Sequence, residues 1–175
     1  MASGSAVALI DFDGTLFFTD KSLEHASVEL MGKKLSRRQV RLLPRRTKSR
    51  IYELGFSKYR DLSVPNMRMI RLIKTRRGKM GVAVLTARLD GSQRDVRYLL
   101  NKNKVPTIKM IFRSRKDSRM HDEEWKLKIV GSLAKKYDRV ELFEDKLDNI
   151  RHIRSGVDSR NVEFFLVRPN SVKRV

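Results

Sequence analysis

Asp11-Phe12-Asp13-Gly14-Thr15-Leu16 follows directly on the apolar run Ala6-Val7-Ala8-Leu9-Ile10. The run has the length and character of a buried strand. Two carboxylates two residues apart at its end are costly, because carboxylates are rarely buried without a partner. Gly14 lets the chain turn sharply behind them. A bound cation would offset the desolvation, and a phosphate could then approach a site built of acids. The stretch has the layout of a metal-assisted phosphoryl-transfer centre.

Outward from this stretch, strands and helices alternate. Residues 66–77 read as an amphipathic helix with Met69, Ile70, Leu72 and Ile73 inward; Pro65 suits its start and Gly78 its end. A strand at 82–86, a helix at 91–102 and a strand near 108–112 follow. A helix over 122–136 opens on Asp122, Glu123 and Glu124 and closes on Lys135 and Lys136, both choices complementing the helix dipole. A strand at 139–143, a short helix at 146–154 and a strand at 162–167 complete the pattern. Such alternation implies an α/β fold with a mostly parallel sheet covered on both faces. Ligands in such sheets sit at the carboxyl ends of the strands, where Asp11, Thr86 and Asp145 all fall.

These residues resemble, in order, the four motifs of the haloacid dehalogenase (HAD) superfamily. Asp11 to Leu16 is similar to motif I, D-x-D-G-T-L after a hydrophobic strand. Val82-Ala83-Val84-Leu85-Thr86-Ala87-Arg88 resembles motif II, an apolar strand ending in Thr. Trp125-Lys126-Leu127-Lys128 lies where the family carries its motif III lysine. Val140-Glu141-Leu142-Phe143-Glu144-Asp145 resembles motif IV, an apolar strand ending in acids. The resemblance implies a Rossmann-like three-layer sandwich with a small helical cap of the C1 type inserted after motif I. Residues 1–17 and 65–175 would form the core and 18–64 the cap. A short cap would leave the site open to large substrates, whereas a big lid would favour small metabolites.

The resemblance also implies roles. Asp11 would be the nucleophile of a covalent aspartyl-phosphate route, and Asp13 the general acid and then base. An acid at position 13 favours a phosphatase or phosphotransferase over the ATPase and dehalogenase branches. Mg²⁺ would be held by the Asp11 carboxylate, the Asp13 backbone carbonyl and Asp145, all hard oxygen ligands. Gly14, Thr86, Ala87, Arg88 and a motif III lysine would bind the phosphoryl group. Lys126 and Lys128 lie on different faces of one helix; Lys126, after Trp125, is the better match. In motif IV, Asn149 stands where the longer family form has a second Asp, with Asp148 beside it as a substitute, and Glu144 would orient a metal-bound water. Motifs II and IV are similar to those of nucleic-acid end-repair phosphatases, with Lys146 where Arg is common; the two are not interchangeable in bidentate contacts.

Charge is the second strong signal. Forty Lys and Arg face twenty Asp and Glu, a net charge of +20. A field of that sign attracts polyanions, nucleic acid foremost. Heat resistance enriches both signs together and fits a twofold excess of one sign less well. Residues 18–64 hold the densest run: Lys33, Lys34, Arg37, Arg38, Arg41, Arg45, Arg46, Lys48 and Arg50, with no acid between them. They are candidate polyanion contacts, against the reading of an ordinary solvated hairpin. Tyr52, Phe56 and Tyr59 fit one helix face and read first as the insertion's own small core, with base stacking as the alternative.

The expected partners are a phosphorylated substrate, with nucleic-acid ends the leading class, and no membrane. No apolar run approaches the roughly 20 residues of a membrane span. The N-terminus lacks the pattern of a signal peptide. Absence of cysteine excludes disulfides and thiolate metal sites, and fits a cytoplasmic protein. Scattered His25, His121 and His152 argue against a zinc centre. A small-metabolite phosphatase and a nucleic-acid-binding protein on a HAD scaffold are the competing functions.

Overall fold

The computed structural model describes residues 5–106 and 109–175, with the backbone alone at Ser159. Chain order is β1 (Ala6–Asp11), β2 (Phe17–Phe18), α1 (Asp20–Met31), α2 (Arg37–Arg41), α3 (Arg45–Phe56), β3 (Val64–Pro65) and α4 (Met67–Arg77). Then come β4 (Gly81–Leu89), α5 (Gln93–Lys102), β5 (Lys109–Arg113), α6 (Asp122–Ala134), β6 (Arg139–Glu144), α7 (Leu147–Gly156), β7 (Val162–Arg168) and β8 (Ser171–Arg174). Among the described residues no helix is long and apolar enough to cross a membrane.

Six strands form one sheet in the order β5-β4-β1-β6-β7-β8, all parallel except β8, which runs antiparallel to β7. The alternating pattern implied this sheet, and β1 at its centre is buried because helices cover both faces. Period-two alternation sends Ala8 and Ile10 to one side, where Met69, Ile70 and Ile73 of α4 and Val96, Leu99 and Leu100 of α5 pack. Val7 and Leu9 go to the other, against Trp125 and Val130 of α6 and Ile150 and Ile153 of α7. Ile10 sits between Val84 and Phe143 in register, so β1, β4 and β6 end side by side.

Several boundaries differ from the sequence reading. Pro65 does not start a helix; it pairs with Phe17 in the small β2–β3 ribbon. Asn66 caps α4 instead, its side chain accepting the Met69 N–H. Asn66 also donates to the carbonyl of Thr15 at 3.0 Å, tying this helix start to the turn after β1. β4 runs on to Leu89 with its register broken between Thr86 and Leu89. The strand expected near 108–112 is observed from Lys109; Ile108 lies outside the described residues, as do Met1–Gly4. β8 was missed because Ser171-Val172-Lys173-Arg174 carries no apolar alternation; it is a polar edge strand whose charges oppose further pairing.

The insertion between β2 and β3 has its own core. Leu23, Ala26, Leu35, Val40 and Ile51 are buried together, with Tyr52, Phe56 and Tyr59 packed against them. The three aromatics therefore serve this core; Tyr52 and Phe56 do so from one face of α3, whereas Tyr59 lies past the helix end and joins them from the following turn. Ser36 and Gln39 form a capping box at α2, fixing the entry of a helix only five residues long.

Candidate active site

The turn after β1 is built by backbone bonds. Phe12 O accepts from the N–H groups of Leu16 (3.1 Å) and Phe17 (2.9 Å), and Gly14 N–H donates to Phe17 O at 2.7 Å. Gly14 has φ +93°, the left-handed region where a side chain is disfavoured. A Cβ there would come within 2.3 Å of Asp145 Oδ2 and 2.6 Å of Arg37 Nη1. Since its N–H is engaged inside the turn, Gly14 shapes the site by letting other groups approach. Phe12 and Phe17 stack at 4.9 Å beneath the turn.

This turn leaves Asp11 and Asp13 pointing to different partners. Asp11, at the end of β1, is buried and receives Lys126 Nζ at 2.7 Å. The same ammonium reaches Glu144 Oε2 at 2.5 Å. Lys126 is itself buried, projected inward from α6 beside the buried Trp125. Lys128 faces outward, is largely exposed and pairs with Asp117 at 3.0 Å. Of the two candidate lysines, only Lys126 reaches the acids.

Asp13 is gripped by Arg88 through two hydrogen bonds, Nε to Oδ2 at 2.8 Å and Nη2 to Oδ1 at 2.7 Å. The Arg88 guanidinium lies 4.7 Å from the Phe12 ring centroid and 3.5 Å from that of Phe56. Arg88 thus joins the core to α3 of the insertion. Thr86 is fully buried and its Oγ1 accepts the Arg88 N–H at 3.3 Å; Ala87 between them is half-buried.

Asp145 follows β6, with Oδ2 3.5 Å from Arg37 Nη1. Its Oδ1 is buried and no donor among the described residues reaches it. Asp11, Glu144 and Asp145 each offer a carboxylate oxygen, all within 4.8 Å of one another. Asn149 is buried nearby in sequence on α7, its Nδ2 without a partner among the described residues. Asp148 is not at this centre: its side chain is 95% exposed and pairs with Arg151 at 3.6 Å. It occupies the solvent side of the first turn of α7, one residue from the inward-facing Asn149.

The electrostatics follow from burial and these pairs. Burial, Glu144 and Asp145 push the Asp11 carboxyl well above its ordinary range, with Lys126 opposing. Burial also works against charge on Asp13, but Arg88, Arg37 and Lys126 outweigh it and hold that carboxyl below its ordinary value. Against burial, Lys126 brings Glu144 down to about 2. Burial and the Glu144 charge push Asp145 up to about 6. Lys126 is held firmly protonated; burial disfavours its charge, but Asp11 and Glu144 outweigh that. Asp11 and Asp145 are both pushed above their ordinary range despite the cations beside them, the condition a divalent ion relieves.

The arrangement fits Mg²⁺ on its own terms. Its donors are oxygens only, Asp145 Oδ1 is an orphaned buried acceptor, and Gly14 keeps open a space that a Cβ would fill. Sequence reasoning missed the state of the third ligand. The Asp13 carbonyl accepts a hydrogen bond from Arg37 Nη2 at 2.8 Å. The basic run places Arg37 among the candidate polyanion contacts, yet its side chain is only 16% exposed and reaches two of the expected metal ligands. The capping-box spacing from Ser36 to Gln39 marks a helix start, but it does not separate inward Arg37 from exposed Arg38 in the same turn.

The rest of the basic run is peripheral. Lys33, Lys34, Arg38, Arg41, Arg45, Arg46 and Arg50 are exposed and Lys48 is half-exposed. Lys34 pairs with Glu24 at 2.9 Å and Lys48 donates to the Arg41 carbonyl at 3.4 Å.

No family model matches the chain, and no curated protein matches it in sequence. Solved structures do. A HAD-superfamily hydrolase, subfamily IA, variant 1, from Geobacter sulfurreducens PCA superposes with a TM-score of 0.57 at 17% identity, covering 93% of this chain and 86% of that one. A haloacid dehalogenase-like family hydrolase from Streptococcus pneumoniae gives 0.60 at 13% identity, covering 89% and 82%. A chain of the Pnkp1/Rnl/Hen1 RNA repair complex gives 0.60 at 15% identity, covering 96% of this chain but 44% of that one. At such identities the shared property is the fold: this chain has the haloacid dehalogenase fold, as the order of its motifs implied.

Proposed function

We propose that this HAD-fold chain is a Mg²⁺-dependent phosphomonoester hydrolase acting on phosphorylated nucleic-acid ends or nucleotides through a phosphorylated Asp11. The observation that carries the reading is the Lys126 bridge: one buried ammonium holds Asp11 and Glu144 together beside Asp145. A structural ion pair would need one carboxylate. Two on one buried cation, with a third carboxylate within 4.8 Å at the ends of adjacent strands, make a site.

In the first step an Asp11 carboxylate oxygen bonds to phosphorus, the ester P–O bond breaks, and a proton from Asp13 goes to the leaving alkoxide. In the second, water bonds to phosphorus, the bond from Asp11 to phosphorus breaks, and Asp13 takes the water's proton. A carboxylate nucleophile divides one hard step into two easier ones. Acid–base help of this kind supplies ~10²–10⁴-fold. Lys126 stabilises charge on Asp11 and on the transferring group, with Thr86 and the Ala87–Arg88 backbone beside it. Asp11, Asp145 and the Asp13 carbonyl would hold Mg²⁺, which would supply the charge neutralisation that lets an anionic nucleophile meet an anionic ester.

Arg88 gives Asp13 its two states. At rest the bidentate grip holds Asp13 ionised, the form that accepts a proton from water. A substrate dianion competing for the guanidinium loosens that grip and favours the protonated form the first step needs. Asn149 orients the metal shell, and Asp148 has no part in it. Residues 18–64 act as the cap, too small to enclose the site, and Lys33, Lys34, Arg38, Arg41, Arg45, Arg46, Lys48 and Arg50 steer polyanionic substrate toward it.

The test is Mg²⁺-dependent phosphate release from an end-phosphorylated oligonucleotide and from the matching mononucleotide, with Asp11→Asn as the blank. Preference for the oligonucleotide, weakening steeply with salt, supports the reading. Equal or better turnover of the mononucleotide sinks the nucleic-acid-end part and leaves a small-molecule phosphatase. No release from either, with tight oligonucleotide binding, indicates a binding protein.

A further inference from the structure

We infer that Arg37 is a tethered competitor of the divalent cation, a guanidinium that takes the ion's position in the metal-free protein and is expelled when the ion binds. The inference rests on the metal-dependent reading of the site. Three observations carry it. Arg37 Nη2 donates to the Asp13 carbonyl at 2.8 Å, and Nη1 lies 3.5 Å from Asp145 Oδ2, so one side chain spans two of the three expected metal ligands. The side chain is 16% exposed, which places its charge inside the site and away from solvent. Gly14 is the residue whose missing Cβ makes the space, since a methyl group there would collide with both Arg37 Nη1 and Asp145 Oδ2.

The energetics favour such an exchange. Four carboxylates, Asp11, Asp13, Glu144 and Asp145, converge here against Lys126, Arg88 and Arg37, with Lys146 nearby but paired with Asp122. Without Arg37 the metal-free site would leave Asp145 facing Glu144 with Lys146, itself paired with Asp122 at 3.2 Å, as the remaining opposing charge. A cation and a guanidinium cannot both occupy the carbonyl oxygen and carboxylate that they share. Arg37 opens α2, whose own packing is slight: five residues, with Val40 the buried one. Expelling the guanidinium therefore costs little in the insertion's core and frees α2 from the turn after β1. Metal loading and the position of α2 become one equilibrium, in which the ion must win before the mouth of the site is clear.

The test is binding, read without substrate. Mn²⁺ and Mg²⁺ are titrated calorimetrically into wild type, Arg37→Ala, Arg37→Lys and Asp145→Asn. Backbone hydrogen exchange of residues 37–41 is followed with and without saturating Mg²⁺. Arg37→Ala should bind the ion about tenfold or more tightly than wild type. Arg37→Lys, which keeps the charge but cannot span both oxygens, should fall between. Mg²⁺ should speed exchange across 37–41 in wild type and leave Arg37→Ala, already fast, unchanged. Equal or weaker ion binding by Arg37→Ala overturns the inference, as does exchange across 37–41 that ignores Mg²⁺ in wild type. Tightening in Arg37→Ala with Arg37→Lys matching wild type overturns it too, because charge alone would then suffice. If wild type and Arg37→Ala bind no better than Asp145→Asn, the metal site itself is wrong, and the proposed function fails with it.

Discussion

Arg88 holds both carboxylate oxygens of Asp13, at 2.8 and 2.7 Å, and so keeps ionised the residue proposed to carry the proton. Removing the guanidinium should free Asp13 from its low value. In Arg88→Gln the side-chain carboxyl resonance of Asp13 should titrate at least about one unit higher than in wild type. Asp13's depressed value contributes stability that is present above its ordinary 3.8 and lost as pH falls through the folded value. Arg88→Gln should therefore lose of order 3 kcal/mol by urea denaturation at neutral pH, and less in acid. A loss independent of pH would assign Arg88 to packing against Phe12 and Phe56 alone.

Lys126→Met keeps the volume and removes the charge between Asp11 and Glu144. Breaking a buried pair from one side costs roughly 3–5 kcal/mol at neutral pH. Glu144 is held near 2 against an ordinary 4.5, so its share of stability is present above 4.5 and vanishes as pH falls toward 2. The gap between wild type and Lys126→Met, measured by thermal melting, should be widest at neutral pH and close across that window. Lys128→Met, whose side chain meets only the exposed side of Asp117, should melt like wild type.

Asp145 has the opposite sign. Its value of about 6 exceeds the ordinary 3.8, so its protonation stabilises the metal-free protein below 3.8 and that contribution is lost as pH rises through about 6. Metal-free Asp145→Asn should equal or exceed wild type in stability above pH 6, and the difference should disappear in acid. Mg²⁺ should raise the melting temperature of wild type and leave Asp145→Asn where it was. A Mg²⁺ response retained by the variant would place the ion elsewhere.

Gly14→Ala tests the turn. Strain at φ +93° costs about 1–3 kcal/mol, which the fold tolerates. The added methyl would stand 2.3 Å from Asp145 Oδ2. Phosphate release should fall by more than ~10²-fold, the scale of losing a positioned charge at the reacting centre. Near-normal turnover in a folded variant would show that the space beside Asp145 is not used.

The sheet and the convergence of Asp11, Thr86 and Asp145 were legible because buried parallel strands write themselves as apolar runs, and their carboxyl ends follow from direction alone. Lys126 was legible from its place beside Trp125, whose burial turns the helix face carrying it inward. What stayed hidden depended on contacts between distant segments. Nothing near Arg88 shows that Asp13, 75 positions away, occupies it. Arg37 is one of nine like charges in the run from Lys33 to Arg50, and its inward position shows only in its contacts with the Asp13 carbonyl and Asp145, residues far from it in the chain. Asp148 and Asn149 differ by one position on a helix, too little for spacing to choose between them without knowing how α7 is rolled. β8 lacked a signal because a polar edge strand has no buried face to record.

The proposed function turns on Asp11 taking the phosphoryl group. Wild type and Asp11→Asn should be mixed with excess phosphorylated substrate and Mg²⁺, quenched, reduced with borohydride and mapped by mass spectrometry. Aspartyl-phosphate is converted to homoserine by this treatment. Homoserine should appear at position 11 in wild type and at no position in Asp11→Asn. Phosphate release without homoserine at position 11, or with the product at another carboxylate, would contradict the proposed function.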